Sequence, residues 1–185
     1  PFARHPSLTL LGTQLLVILG LPLLGTDSVA QVSFSLISLV VLGMALRLVR
    51  RSPVATPLAV CLSVCVVALV LWYLVSPSQG LQVAMSALEA AFYFYATGAL
   101  IAYMLQDDVA TRDELYAAAA TFTVLAWAFA HVFMVYQLLS TQGFSASDSG
   151  RAHTWFDMLF LSFTCLSGVG LGDTVPLAPM AKALV

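Results

Sequence analysis

Charge is what this sequence has least of. Only 9% of its 185 residues are Asp, Glu, Lys or Arg, against 61% hydrophobic, and mean hydropathy is +0.96. A soluble domain needs about 25% charged residues to keep its surface in water, so this composition points to a chain clothed by lipid. The few charges nearly balance at a net −2, which excludes a polyanion-binding surface and nucleic acid as a partner. Cysteine is scarce as well. Cys61, Cys65 and Cys165 support no disulfide framework, and no His/Cys cluster has metal-ligand spacing. Cys61 and Cys65, four apart in an apolar run, fall on one helical face; all three are expected to be buried and reduced. No nucleophile with a base is visible, so neither an enzyme nor a cofactor is expected. There is no internal repeat, low-complexity tail or soluble domain. The first apolar run lacks an Ala-x-Ala cleavage site and further apolar runs follow it, which excludes a signal peptide. Because the sequence opens on Pro1, a trimmed N-terminus is expected.

What is there is a series of long apolar runs. A helix needs about 20 apolar residues to cross the hydrocarbon core, and five segments qualify: 8–24, 29–49, 54–75, 81–105 and 115–139. The first is broken by Gly20 and Pro22. Gly25-Thr26-Asp27-Ser28, Arg50-Arg51-Ser52-Pro53 and Ser76-Pro77-Ser78-Gln79-Gly80 separate the next runs, and 106–114 is the most charged link. With a cytoplasmic N-terminus, Arg4, Arg47, Arg50, Arg51 and Arg112 lie inside, leaving Arg151 and Lys182 outside. That bias satisfies the positive-inside rule. A multi-pass protein of a plasma or bacterial inner membrane is expected.

The C-terminal stretch breaks the pattern. The apolar run 155–165 is eleven residues, which at helical rise covers only about 16 Å, half a membrane. It meets Ser167-Gly168-Val169-Gly170-Leu171-Gly172-Asp173, then Pro176 and Pro179, and a new apolar run opens at Met180. A half-length helix, a glycine-rich stretch and a return make a re-entrant loop, tolerated at membrane depth only where protein buries it or it lines water. The glycines fall at every second position. Glycine adopts left-handed dihedrals cheaply, so alternating hands can turn successive carbonyls to one side. Such a row can replace the water around a cation. The bland alternative is a turn between buried helices; a nucleotide-binding glycine loop would need a strand before it and an acidic partner after.

Here the sequence resembles a known family. Phe156-Asp157-Met158-Leu159-Phe160-Leu161-Ser162-Phe163-Thr164 is similar to the pore helix of bacterial two-transmembrane-type potassium channel domains. Cys165-Leu166-Ser167-Gly168-Val169-Gly170-Leu171-Gly172-Asp173 resembles their Thr-Leu-Thr-Thr-Val-Gly-Tyr-Gly-Asp filter, and 175–182 their proline-containing link to the inner helix. The resemblance implies an all-α polytopic membrane protein: five spans, a re-entrant pore helix and filter loop, and a sixth, inner helix beyond Val185. Residues 1–106 would be a four-helix peripheral region and 107–185 the pore module. Ser167 to Asp173 would form the filter, with K+ or another monovalent cation held by the backbone carbonyls of Gly168, Val169, Gly170 and Leu171. Asp173 would stand at the outer mouth, and a homotetramer in the lipid bilayer would close the pore. Two residues depart from the pattern. Leu171 lacks the phenol that braces the filter from behind, and Gly168 replaces a Thr whose hydroxyl helps form the innermost ion site, so potassium selectivity is left open. The alternative reading is a transporter or non-conducting accessory subunit with a pore-like loop.

The remaining polar residues read as follows. Glu89, deep in the fourth span, admits either a hydrogen bond to a group such as Ser86 or Tyr93, or proton or gating work. His131 reads as a packed histidine, and Phe92 to Tyr95 and Tyr103 as packing and interface anchors. Asp157 suits the N-terminus of a helix dipole. The fourth span carries neither Arg nor Lys, so no arginine-ladder voltage sensor is expected.

Overall fold

The computed structural model describes residues 6–20, 56–105, 112–140, 143–145 and 153–185. The second expected span, 29–49, and the arginines at 4, 47, 50, 51 and 151 lie outside the described residues. Within them the chain is helical: α1 (Pro6–Gly20), α2 (Thr56–Val75), α3 (Gln79–Met104), α4 (Arg112–Leu139), α5 (Trp155–Leu166) and α6 (Pro179–Leu184). Among the described residues there is no strand, only one isolated antiparallel bridge between Phe144 and Pro176. The bounds follow from capping chemistry. Ser78 accepts from the Leu81 amide at 3.3 Å and starts α3 two residues before its apolar run. Asp113 and Glu114 sit in the first turn of α4, where the dipole favours acid.

Among the described residues three helices, α2, α3 and α4, are long and apolar enough to cross a membrane. At 1.5 Å per residue their 20, 26 and 28 residues span about 30–42 Å. Hydroxyls within them are satisfied locally. Ser63, Thr97 and Thr121 each donate to the carbonyl four residues back, at 2.7–2.8 Å, so these three hydroxyl hydrogens are not left bare in hydrocarbon.

α4 is the hub: α1, α3, α5 and α6 all pack on it, and α2 packs on α3. Small side chains make this possible. Ala117, Ala120, Ala126, Ala128 and Ala130 of α4 are fully buried, as is Ala96 of α3, so the backbones approach closely. Directions follow from the contacts. Glu89 meets His131 and Tyr93 meets Trp127, so α3 and α4 are antiparallel, and the Gln79 amide donates to Leu138 O at 2.6 Å at one end. At the other end Ser7 Oγ donates to Asp113 Oδ2 at 2.8 Å, so α1 runs alongside α4 in the same sense. α2 and α3 form a hairpin through a three-residue link.

One packing expectation fails. Cys61 and Cys65 are free but exposed on α2, and Cys165 is half-buried. An almost uniformly apolar helix carries no record of which face is packed, and α2 buries only 22% of its span within the chain, against 61% for α4.

Candidate functional site

The site is built on the C-terminal end of α5. That helix starts with a capping box: Asp157 Oδ2 accepts from Thr154 N at 2.7 Å and from Thr154 Oγ at 2.8 Å, while Asp157 N donates to Thr154 Oγ. The cap explains why twelve residues suffice for a helix here. Trp155 packs edge-on against Trp127, centroids 5.2 Å apart, and Phe163 packs against Phe122 at 5.9 Å. α5 therefore descends antiparallel to α4, from the level of Trp127 to that of Phe122. The chain after it returns to the Leu139 end of α4, where Pro176 bridges Phe144 and Phe144 lies on Phe133 and Tyr136.

The turn between descent and return has unusual backbone geometry. Gly168 and Gly170 have φ of +70° and +64°, a region that costs other L-residues about 1–2 kcal/mol. With the chain so bent, the amides of Val169 and Gly170 both donate to Thr164 O, at 3.0 and 3.1 Å, and Gly168 N donates to Cys165 O at 3.0 Å. In an ordinary strand successive amides alternate sides; here three consecutive ones face the end of α5. In a trans peptide the carbonyl opposes the amide across the plane. The carbonyls of Ser167, Gly168 and Val169 therefore point away from α5, on the side where all of 167–173 are exposed. Cβ atoms added at Gly168 and Gly170 would meet nothing within 4 Å, so the glycines answer to dihedral angle, not to space.

The alternation stops short. Gly172 is not among the residues with positive φ; its backbone runs on toward Thr174, into a stretch held by hydrogen bonds of its own. Leu171 is 67% exposed, and Asp173 follows it on the exposed side. Ser167 Oγ donates to Thr164 O at 3.2 Å, so its hydroxyl turns back to the helix.

Two groupings were invisible in the sequence. The first is Ser145, His153 and Thr174 at the outer end of the loop, with His153 Nε2 2.6 Å from Ser145 O and Thr174 Oγ 3.3 Å from His153 Nδ1. The second is the pairing of Glu89 with His131: Oε2 lies 3.2 Å from Nδ1, off the hydrogen-bonding direction, with both side chains almost fully buried. Tyr93 stacks on the His131 ring at 5.6 Å and Trp155 lies at the same distance, so the pair abuts the start of α5. Neither grouping has a local motif; helix register and a long loop bring the partners together. Among the described residues no cluster of His, Cys, Asp or Glu could hold a metal ion.

Neither the curated proteins nor the solved structures give a significant match. A family model described as "Ion channel", of the two-transmembrane potassium-channel-pore type, matches residues 90–185. The match begins inside α3 and takes in α4, α5, the glycine loop and α6. With more than half its length matched, and with apolar helices long enough to span a bilayer, this membrane protein belongs to the ion channel family.

Proposed function

We propose that the chain supplies one wall of a cation channel of the potassium-channel type, in which dehydrated cations pass in single file between rings of backbone carbonyls. One observation carries this reading: three successive carbonyls, at 167, 168 and 169, turn away from a half-length helix onto a face that their own chain leaves uncovered. Carbonyl rings of this kind replace an ion's hydration shell. Gly170, Leu171, Gly172 and Asp173 extend the filter toward the outer mouth, and the C-terminal end of α5 turns its negative dipole end toward the pathway. One loop per chain makes one wall, so closed symmetry needs several copies, and the family resemblance supports four.

The rest of the architecture fits this role. Residues 1–106 form the peripheral region and 107–185 the pore module, with five spans preceding an inner helix that begins at α6. The shared direction of α1 and α2 supports one further crossing between them. The N-terminus is cytoplasmic on this reading, which is supported by the start of α1 lying at Asp113, the end of α4 opposite the Phe144–Pro176 contact to which the loop returns at the outer mouth. The positive φ of Gly168 bears on selectivity. The Thr usual in the family is β-branched and poorly suited to that backbone, so the innermost site lacks a hydroxyl and discrimination among monovalent cations is weak. A second reading, a non-conducting accessory subunit, is favoured by one observation, the negative φ of Gly172.

Cation flux from liposomes holding the purified protein separates the two. The channel reading expects potassium, sodium and caesium all to pass, with potassium only modestly preferred. Liposomes as tight as protein-free ones would refute it and leave the accessory reading.

A further inference from the structure

The geometry points to Ser145 and His153 as positioning residues that brace the filter from its outer end, taking over from the phenol that Leu171 lacks. The inference rests on the pore reading above. Leu171 has no polar group to tie the loop from behind, and its side chain is mostly exposed. The two residues after it in the filter lead directly into a clamp. Ser145 Oγ donates to Asp173 O at 3.1 Å and accepts from Val175 N at 2.9 Å, while Ser145 N donates to Val175 O at 2.8 Å. Three hydrogen bonds thus fix the Asp173–Val175 backbone onto one serine.

His153 holds that serine in turn. A carbonyl can only accept, so His153 Nε2, 2.6 Å from Ser145 O, carries the ring proton. In the neutral ring Nδ1 is then the acceptor for Thr174 Oγ–H at 3.3 Å. His153 is 8% exposed, and its backbone carbonyl accepts from Gln137 Nε2 at 2.8 Å, which fastens the clamp to α4. Two further ties flank it. Gly143 O accepts from Leu177 N at 2.9 Å and Ala178 N at 3.3 Å, and Gly143 lies so close to the Tyr136 ring that a Cβ there would overlap it. Phe144 is buried against Phe133 and Tyr136. The outer end of the filter is therefore hung from the bundle through side chains that no filter motif contains.

The test is cation flux through full-length protein in liposomes, alongside hydrogen exchange of 173–178. Ser145→Ala should cut flux about tenfold, equivalent to about 1.4 kcal/mol, and speed exchange at Val175. Ser145→Thr, which keeps the hydroxyl, should restore both. His153→Phe, which keeps a ring but neither ring nitrogen, should lower flux and speed exchange at Val175 as well. Should Ser145→Ala fail to assemble, Thr174→Val, which removes only the hydroxyl facing Nδ1, should still speed that exchange. A wild type that conducts, with Ser145→Ala equal to it in flux and exchange, overturns the brace and leaves the pore reading standing. A wild type that passes no cation overturns the pore reading and the brace with it.

Discussion

Within one chain, the helical bundle and the glycine loop are opposites in how completely they are built. Around α4 the chain supplies both sides of every contact: Trp127, Tyr93, Phe92 and Phe133 are all under 2% exposed. From Ser167 to Asp173 every residue is exposed, and from Gly168 to Gly170 the backbone amides bond only toward α5. The bundle is finished by its own sequence, whereas the loop is half of something. On the proposed reading, a backbone held in positive φ at two glycines and exposed on its carbonyl side is completed by other copies of the chain.

Substitutions in the two regions should therefore fail in different ways. The largest effect is expected at Gly170. Gly170→Val cannot hold φ near +64° without strain, so cation flux should vanish while folding stability falls by no more than the backbone cost of about 1–2 kcal/mol, because the added side chain meets open space. Persisting flux would dissolve the distinction. Trp127→Ala reverses the pattern, lowering folding stability by about 3–5 kcal/mol, read from denaturation in detergent by the fluorescence of the remaining tryptophans. Glu89→Ala removes the buried neighbour of His131 at the α3–α4–α5 junction and should cost about 1–3 kcal/mol. The double variant with His131→Ala should cost less than the sum of the two singles; strict additivity would mean the pair is not coupled. The smallest effect is on selectivity. Gly168→Thr restores the hydroxyl at a backbone cost of about 1–2 kcal/mol, and it should move the bi-ionic reversal potential toward potassium by a few-fold change in permeability ratio. An unmoved reversal potential would count against Gly168 as part of the filter.

How much of this was legible in the sequence differs between the same two regions. Three of the expected spans, the third to fifth, appear within a few residues of their expected ends, since hydrophobic length and capping residues are local signals. The first appears as α1, which starts two residues earlier than expected, and its expected end at 24 lies outside the described residues. The half-length helix was readable from 155–165 and the glycine loop from its spacing. Positive φ at Gly168 and Gly170 matches the expectation of alternating hands, and Gly172 departs from it because the chain there is already entering the Ser145 clamp. Burial of Cys61 and Cys65 was misjudged, as periodicity vanishes in a helix apolar all round. The clamp itself had no signal. Ser145, His153 and Thr174 are common loop residues, separated by a polar stretch and by the whole of α5, and only the return of the chain to the Leu139 end joins them.

The central claim is that backbone oxygens near 168–171 from several chains converge on a shared axis. A density map of the assembled protein in a potassium-containing bilayer mimetic tests it most directly. The account predicts a fourfold axis running past those oxygens, with a column of ion density along it that changes when potassium is replaced by sodium. A loop facing lipid, or sealed within a single protomer with no axis beside it, would contradict it.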